Sequence, residues 1–224
     1  FLSENPNYII PDKRYPLERI DNTSDVLGKY FNDSEINPDV VIILVESLGS
    51  EMMGSDGLAP FIDSLAQKSL YWKNCLSTTT RSYGAVPAVT SSSMGPKGFQ
   101  FGIMPEHNSL FSIMKSNDYK TNAFYGGDFS FDAISEYLIA QDIDYMSDLY
   151  EEYKSGDDKS LGNWWGYFDH VMFSRSIEEI KKMKSPMFNL IVTITNHEAL
   201  DLKDEKRQNE YLTRTDEIIS KMDK

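Results

Sequence analysis

The sequence is poor in cysteine, in basic residues and in long apolar runs. Cys75 is the single cysteine among 224 residues, which excludes an internal disulfide and a zinc site built from several cysteines. Lysine and arginine number 22 against 35 aspartate and glutamate residues, so the formal net charge is −13. This charge argues against a nucleic-acid partner, because no excess of basic side chains is available to neutralise phosphates. It argues equally against docking on an anionic membrane surface.

No apolar run approaches the roughly 20 residues that a membrane-spanning helix needs. The sequence opens on FLSENPNYII, without an initiator methionine or a signal peptide. We therefore expect a soluble piece of a longer protein, and the absence of a membrane segment here says nothing about that longer protein.

The residues that are present are typical of a globular domain, with 40% hydrophobic and 25% charged residues. Residues 1–36 are rich in Asn, Asp and Pro, and we predict an extended lead-in with one short helix near residues 26–31. Residues 37–224 are predicted to form a single domain.

Strand-like and helix-like segments alternate along that domain. The apolar runs 40–45 and 187–195 predict strands buried on both faces of a parallel sheet. A further strand is predicted in YKTNAFYGGD and a short one in LYWKNCLS. Helical spacing marks residues 58–69, 84–93, 108–119, 131–140, 167–184 and 208–224. This alternation predicts an α/β fold, a three-layer α/β/α sandwich around a mostly parallel sheet.

Polar residues follow three of the predicted strands. Glu46 comes after the first, Asp128 after FYGG, and His197 after IVTIT. The carboxyl ends of the strands form the functional edge of an open α/β sheet, so these side chains are candidates for a site. Each has a structural alternative that spacing alone leaves open. Glu46 could cap a helix, Asp128 could belong to a turn, and His197 could be a loop or core histidine.

The segment Thr78–Ser93, TTTRSYGAVPAVTSSS, collects hydroxyl groups and leads into a predicted helix. It is either a polar surface loop or the source of a hydroxyl nucleophile. Free N–H groups at a helix N-terminus favour a phosphate or sulfate group. A carboxylate, a hydroxyl and a histidine at one edge suit a metal-assisted transferase or hydrolase. Of the remaining candidates, His107 is assigned to a loop and His170 to a helix. Trp164 and Trp165 are assigned to the core.

Five separated motifs carry a resemblance to a known family: PDVVIILVESLGSE, LAPFIDSLAQKSLYWKNCLSTTTRSYGAVPAVTSS, FYGGD, WGYFDHVMF and LIVTITNHEAL. In this order they resemble the sulfatase-like branch of the alkaline phosphatase superfamily, and within it lipoteichoic acid synthase-type phosphoglycerol transferases. The resemblance covers roughly residues 37–224. It implies the N-terminal part of a catalytic domain, truncated before the last strands of the family fold.

The resemblance also assigns roles to residues. Glu46 matches the first metal-binding carboxylate, and Ser82 matches the Thr or Ser nucleophile, which is also a metal ligand. Ser82 precedes Pro87 by five residues, as the nucleophilic threonine of phosphoethanolamine transferases precedes its proline. Arg81 stands where family members often carry a basic residue.

Two further residues, Asp128 and His197, match segments that line the substrate pocket of the family. The implied cofactor is a divalent metal, with manganese ahead of zinc or magnesium. A family aromatic is expected just beyond Asp128, and the nearest residues there are Phe129, Phe131 and Asp132.

The sequence departs from the family pattern at two points. Neither Cys75 nor Ser82 begins the Cys/Ser-x-Pro-x-Arg run of arylsulfatases, so arylsulfatase activity is disfavoured. The Asp-His pair that completes the family's metal site is not found in its context, since FDH at residues 168–170 sits at a predicted helix start. We therefore expect the metal to be absent or weakly bound in this piece, which would be inactive by itself.

The function implied by the resemblance is a metal-dependent phosphoglycerol or related phosphoalcohol transferase that works through a phospho-serine. Its substrate would be a membrane phospholipid or a cell-envelope glycan, with no nucleic acid involved. The implied location is extracytoplasmic, with membrane anchoring through a segment outside this chain. The alternatives are a phosphatase or phosphodiesterase on the same scaffold, and a non-catalytic binding pseudoenzyme.

Overall fold

The computed structural model of the chain describes residues 28–30, 36–54, 57–79, 81–91, 107–156, 158–197 and 219–220. The helices are α1 (Pro60–Ala66), α2 (Ser82–Ser91), α3 (Leu110–Ser116), α4 (Ile134–Ala140), α5 (Leu149–Ser155) and α6 (Asp169–Ile180). The strands are β1 (Val40–Leu44), β2 (Lys120–Tyr125), β3 (Tyr145–Met146), β4 (Gly162–Asn163), β5 (Gly166–Tyr167) and β6 (Met187–Val192). None of the helices in these stretches is long and apolar enough to cross a membrane.

The two ends of the chain fall largely outside the described residues. Of the predicted lead-in 1–36, only Ile36 and a short 3-10 turn at Gly28–Tyr30 are described. Of the predicted last helix, only Ile219 and Ser220 are described, and both are helical. The division of the chain at residue 36 stays a prediction.

The main sheet has four parallel strands in the order β1-β6-β2-β3. Val192 at the end of β6 lies in register with Leu44 on one side and with Tyr125 on the other. The carboxyl ends of β1, β6 and β2 are therefore level. The short strands β4 and β5 form a separate antiparallel hairpin. The predicted parallel sheet is confirmed.

Helices cover both faces of this sheet. On one face, α2, α3 and α4 pack on alternate strand residues such as Ala123 and Leu190. On the other face, α1, α5 and α6 pack on their neighbours Phe124 and Ile191. Burying each large apolar side chain in these layers stabilises the fold by about 1.5–3 kcal/mol. The predicted three-layer α/β/α sandwich is confirmed.

The strand predicted at 40–45 is present as β1, but its predicted burial is wrong, and a second predicted strand is absent. The run 40–45 was predicted to be buried on both faces, yet Val41 of β1 is 44% exposed, whereas every residue of β6 is buried. The reason is position, because β1 pairs only with β6 among the described strands and so lies at an edge. The stretch LYWKNCLS forms no strand, and Tyr71 and Trp72 within it are exposed.

Candidate active site

A cavity of about 980 Å³ opens where the carboxyl ends of β1, β6 and β2 meet. Its walls include Glu46 after β1, Ser82 in α2, Tyr125 at the end of β2, and Thr193 and His197 after β6. The volume lies near the upper limit of pockets that hold a small-molecule ligand, which is roughly 300–1,000 Å³. The predicted functional edge of the sheet therefore carries a cavity.

Glu46 and Ser82 are in direct contact in this cavity. The Ser82 hydroxyl donates a hydrogen bond to Oε2 of Glu46. Glu46 is buried, and its backbone N–H donates to the Thr193 hydroxyl at 2.8 Å, which ties it to the end of β6. The fold thus joins the predicted carboxylate and the predicted nucleophile, although the two residues lie 36 positions apart in sequence.

Ser82 is the first residue of α2. The N–H groups in the first turn of a helix have no partner within the helix, and the helix dipole places partial positive charge there. Gly84 in the same turn has no side chain, and a Cβ at that position would lie 3.0 Å from Cβ of Thr79. This small residue lets the hydroxyl-rich segment pack against the start of the helix.

The far part of α2 is held in place by hydroxyl groups in the core. The Thr90 hydroxyl donates to the Val86 carbonyl at 2.8 Å and lies 2.7 Å from the Tyr137 hydroxyl of α4. Thr90 and Tyr137 are each 1% exposed. Hydrogen bonds between buried groups constrain their positions, so these contacts hold α2 against α4 and thereby fix the position of Ser82 at the start of α2.

The other predicted site residues are placed differently from one another. Arg81 and His197 line the cavity, and the Arg81 side chain is exposed. Asp128 is not part of the cavity wall, and its carboxylate accepts the Ser130 N–H at 2.8 Å in a turn. The substrate-binding roles of Arg81, Asp128 and His197 stay predictions.

An aromatic wall, of which the sequence interpretation singled out only Phe131, closes one side of the cavity. It consists of Tyr125, Phe131, Trp164 and Trp165. The Trp164 and Trp165 rings stack at 3.8 Å between centroids, and Phe131 meets Trp165 edge-on at 5.6 Å. Assigning Trp164 to the core was wrong, because it is 64% exposed in the turn between β4 and β5. Trp165 in the same turn is half-buried and packs against the core, as predicted. The signal in the sequence was their place between Gly162 and Gly166.

Tyr125 contributes a hydroxyl that stays protonated. Burial raises the pKa of this phenol, and the negative charges of Glu46, Asp169 and Asp128 raise it further. A neutral phenol can donate a hydrogen bond to an anionic ligand. Tyr125 ends β2 just before a glycine pair, so its place at the sheet edge could have been anticipated.

Two nitrogen atoms at the aromatic wall have no hydrogen-bond partner within the described part of the chain. They are Nε1 of Trp165 and Nδ1 of His197, both buried, on rings whose centroids lie 4.1 Å apart. Leaving a buried donor or acceptor unpaired costs about 1–3 kcal/mol. Such atoms are uncommon in folded cores, and here both belong to side chains that border the cavity.

The family resemblance implies a divalent metal, and part of a binding site for it is present in the cavity. Among the residues that the structure describes, no group of three or more His, Cys, Asp or Glu side chains could hold a metal ion. Glu46 and Ser82 nevertheless bring a carboxylate and a hydroxyl oxygen together, and oxygen ligands suit manganese and magnesium. These two residues fit one side of a metal site.

The family model for sulfatases matches residues 38–224. The chain belongs to the sulfatase family. This family lies in the alkaline phosphatase superfamily, whose members are generally metal-dependent enzymes that transfer or hydrolyse phosphoryl and sulfuryl groups.

Three solved structures share the fold of this sulfatase-family chain. A protein in the alkaline phosphatase superfamily from Vibrio parahaemolyticus has a TM-score of 0.68 and 24% identity, over 83% of this chain and 49% of its own. The lipoteichoic acid synthase LtaP from Listeria monocytogenes has a TM-score of 0.65 and 21% identity, over 84% and 52%. The integral membrane protein lipooligosaccharide phosphoethanolamine transferase A from Neisseria meningitidis has a TM-score of 0.60 and 12% identity, over 85% and 39%.

The chain spans about half the length of the first two of these structures and less of the third. The predicted family resemblance is confirmed. At these identities the solved structures establish the shared fold, and the activity of the whole protein is a matter for proposal.

Proposed function

We propose that the chain forms part of a metal-dependent phosphoglycerol or related phosphoalcohol transferase that works through a phospho-serine at Ser82. The observation that carries the proposal is the contact between Ser82 and Glu46 inside a cavity at the sheet edge. A hydroxyl at a helix N-terminus, bonded to a carboxylate and open to a ligand-sized cavity, has the arrangement of an activated nucleophile.

In the first step the Ser82 oxygen attacks the phosphorus of a phosphodiester donor. The bond from phosphorus to one alcohol oxygen breaks, that alcohol leaves with a proton, and the phosphoalcohol remains on Ser82. Glu46 holds and orients the Ser82 hydroxyl before attack. The start of α2, with the positive end of the helix dipole, and the Tyr125 side chain both line the cavity, where they would stabilise negative charge on phosphoryl oxygens. In the second step an acceptor hydroxyl attacks the phosphorus and frees Ser82.

Glu46 and Ser82 would hold the metal, with manganese expected before zinc or magnesium. When bound, a divalent metal neutralises negative charge on the phosphoryl oxygens and favours ionisation of a hydroxyl ligand. In this proposal Arg81 on the cavity wall attracts the anionic donor. His197 and the segment from Asp128 to Phe131, of which Phe131 lines the cavity, contact its alcohol part.

The proposed substrate is a membrane phospholipid or a cell-envelope glycan, and the proposed site of action is the extracytoplasmic side of a membrane. The shared fold with LtaP and with an integral membrane transferase supports this placement. The net charge of −13 supports the absence of a nucleic-acid substrate.

The test uses the full-length protein with manganese and vesicles of phosphatidylglycerol labelled in the headgroup. We expect label on a tryptic peptide that contains Ser82, and none after Ser82→Ala. The second variant is Thr80→Ala, at a residue outside the described part of the chain. Labelling that survives Ser82→Ala and disappears in Thr80→Ala would move the nucleophile to Thr80.

The same experiment separates the alternatives. Transfer of the label to an added acceptor lipid or glycan supports the transferase, whereas release of free glycerol phosphate into water indicates a phosphodiesterase. Wild-type protein that binds the lipid but never becomes labelled, with any of the three metals, indicates a binding pseudoenzyme and contradicts the proposal.

A further inference from the structure

Ser47, which directly follows Glu46, has a backbone conformation that packing does not explain. Its φ is 53°, in the left-handed region that residues other than glycine seldom occupy. The Ser47 side chain is exposed at the cavity wall, so no core contact compensates for the strain. Strained residues of this kind persist where the surroundings impose them, and they concentrate at functional sites.

The Ser47 hydroxyl donates to Oε1 of Glu46 at 2.9 Å. The other oxygen, Oε2, accepts the Ser82 hydroxyl, and the Glu46 backbone N–H is bound to Thr193. Each carboxylate oxygen therefore has its own hydroxyl donor, and the two donors come from different segments. A glutamate side chain has several rotamers and a freely turning carboxylate, so a fixed Oε1 also fixes the direction of Oε2.

We propose that Ser47 is a positioning residue that holds Oε1 of Glu46 so that Oε2 faces the Ser82 hydroxyl. In the left-handed conformation the Ser47 hydroxyl reaches back to the side chain of the preceding residue. The expected effect of Ser47 on the transfer rate rests on the proposed function. If Ser82 is the nucleophile, the direction of the Glu46 carboxylate affects the rate.

Two variants of Ser47 distinguish the effect of losing its hydroxyl from the effect of changing its backbone conformation. Ser47→Gly suits the left-handed conformation and removes the hydroxymethyl side chain with its hydrogen-bond donor. Ser47→Asn also tolerates this conformation and restores an N–H donor on the side chain. The matched control is Asp118→Gly, because Asp118 has a φ of 66° in the turn after α3 and is not part of the cavity wall.

The kinetic measurement is phosphoalcohol transfer by the full-length protein. Ser47→Gly is expected to lower kcat about tenfold with KM within about twofold, because the lost hydrogen bond orders a reacting group and not the substrate. Ser47→Asn is expected to recover most of the rate, and Asp118→Gly to match the wild type. A Ser47→Gly protein with wild-type kcat overturns the proposal.

A crystal structure of the Ser47→Gly protein provides a second measurement that needs no activity. We expect the Glu46 carboxylate to turn or to occupy several rotamers, with loss of its bond to Ser82. An unchanged carboxylate that still accepts the Ser82 hydroxyl contradicts the proposal. If the wild type shows no transfer with any donor, the proposed function fails, and the crystal structures alone decide the role of Ser47.

Discussion

Two carboxylates flank strand β1, and the fold gives them opposite environments. Asp39 precedes the strand, is exposed, and accepts hydrogen bonds from the Ser185 hydroxyl at 2.9 Å and the Met187 N–H at 2.8 Å. Glu46 follows the strand, is buried, and accepts the hydroxyls of Ser47 and Ser82 beside a large cavity.

The hydrogen-bond partners of Asp39 and Glu46 show that the two carboxylates have different roles. Asp39 links the segment before β1 to the start of β6, and both of its hydrogen-bond partners belong to the framework of the sheet. Glu46 holds side-chain hydroxyls that remain accessible from the cavity. The carboxyl ends of parallel strands are where α/β folds place their ligands, and the two ends of β1 follow this rule. The comparison predicts that Glu46 matters for activity and Asp39 for stability.

The largest effect is expected for Glu46→Gln. The amide keeps the size of the side chain but removes the negative charge and replaces one acceptor oxygen by an NH₂ donor, so it holds a metal weakly and cannot accept both the Ser47 and the Ser82 hydroxyls. Transfer should fall on the order of a hundredfold or more. The measurement is kcat/KM with labelled lipid, with circular dichroism to confirm folding. Activity within about twofold of wild type would break the contrast between the two carboxylates.

A smaller effect is expected for Trp164→Ala. Trp164 is exposed at the cavity mouth and stacks on Trp165, so its removal takes away an aromatic surface for the substrate and leaves the core intact. KM should rise about tenfold with little change in kcat. The control is Trp72→Ala, another exposed tryptophan, which is not part of the cavity wall. Equal changes in KM for the two variants would show that the aromatic wall does not contact the substrate.

The smallest effect on activity is expected for Asp39→Ala. Loss of its hydrogen bonds to Ser185 and Met187 should lower the free energy of unfolding by about 1 kcal/mol. Transfer per folded molecule should equal that of the wild type. Urea unfolding and the labelled-lipid assay measure the two quantities. A marked loss of transfer in a folded Asp39→Ala protein would show that both ends of β1 serve the reaction.

Much of the fold could be predicted from local patterns. The apolar run of β6, the strand-like segment of β2 and the helical spacing of residues in α2, α3 and α6 are local features that need no knowledge of the tertiary structure. The exposure of β1 could not be predicted, since an apolar run does not reveal whether a strand lies in the centre or at an edge of the sheet. The segment LYWKNCLS failed for a related reason, because strand-like residues form a strand only where a partner strand is available.

The candidate site was predicted in part. Glu46 and His197 line the same cavity, as their places after strands suggested, and so do Ser82 and Arg81, which the family resemblance singled out. Most of the aromatic wall was missed, because Trp164 and Trp165 come from a hairpin that only tertiary packing brings over the sheet edge. Ser47 was also missed, since a left-handed serine has no sequence signature.

The sequence by itself determined the alternation of strands and helices and the order of the five family motifs. Those features depend on side-chain periodicity and residue identity, which are local. Tertiary structure alone decided that Ser82 bonds to Glu46, that Ser47 turns back to the same carboxylate, and that two tryptophans face a cavity. The physical reason is that these contacts depend on strand order, register and backbone direction, and all three are set when distant segments pack together.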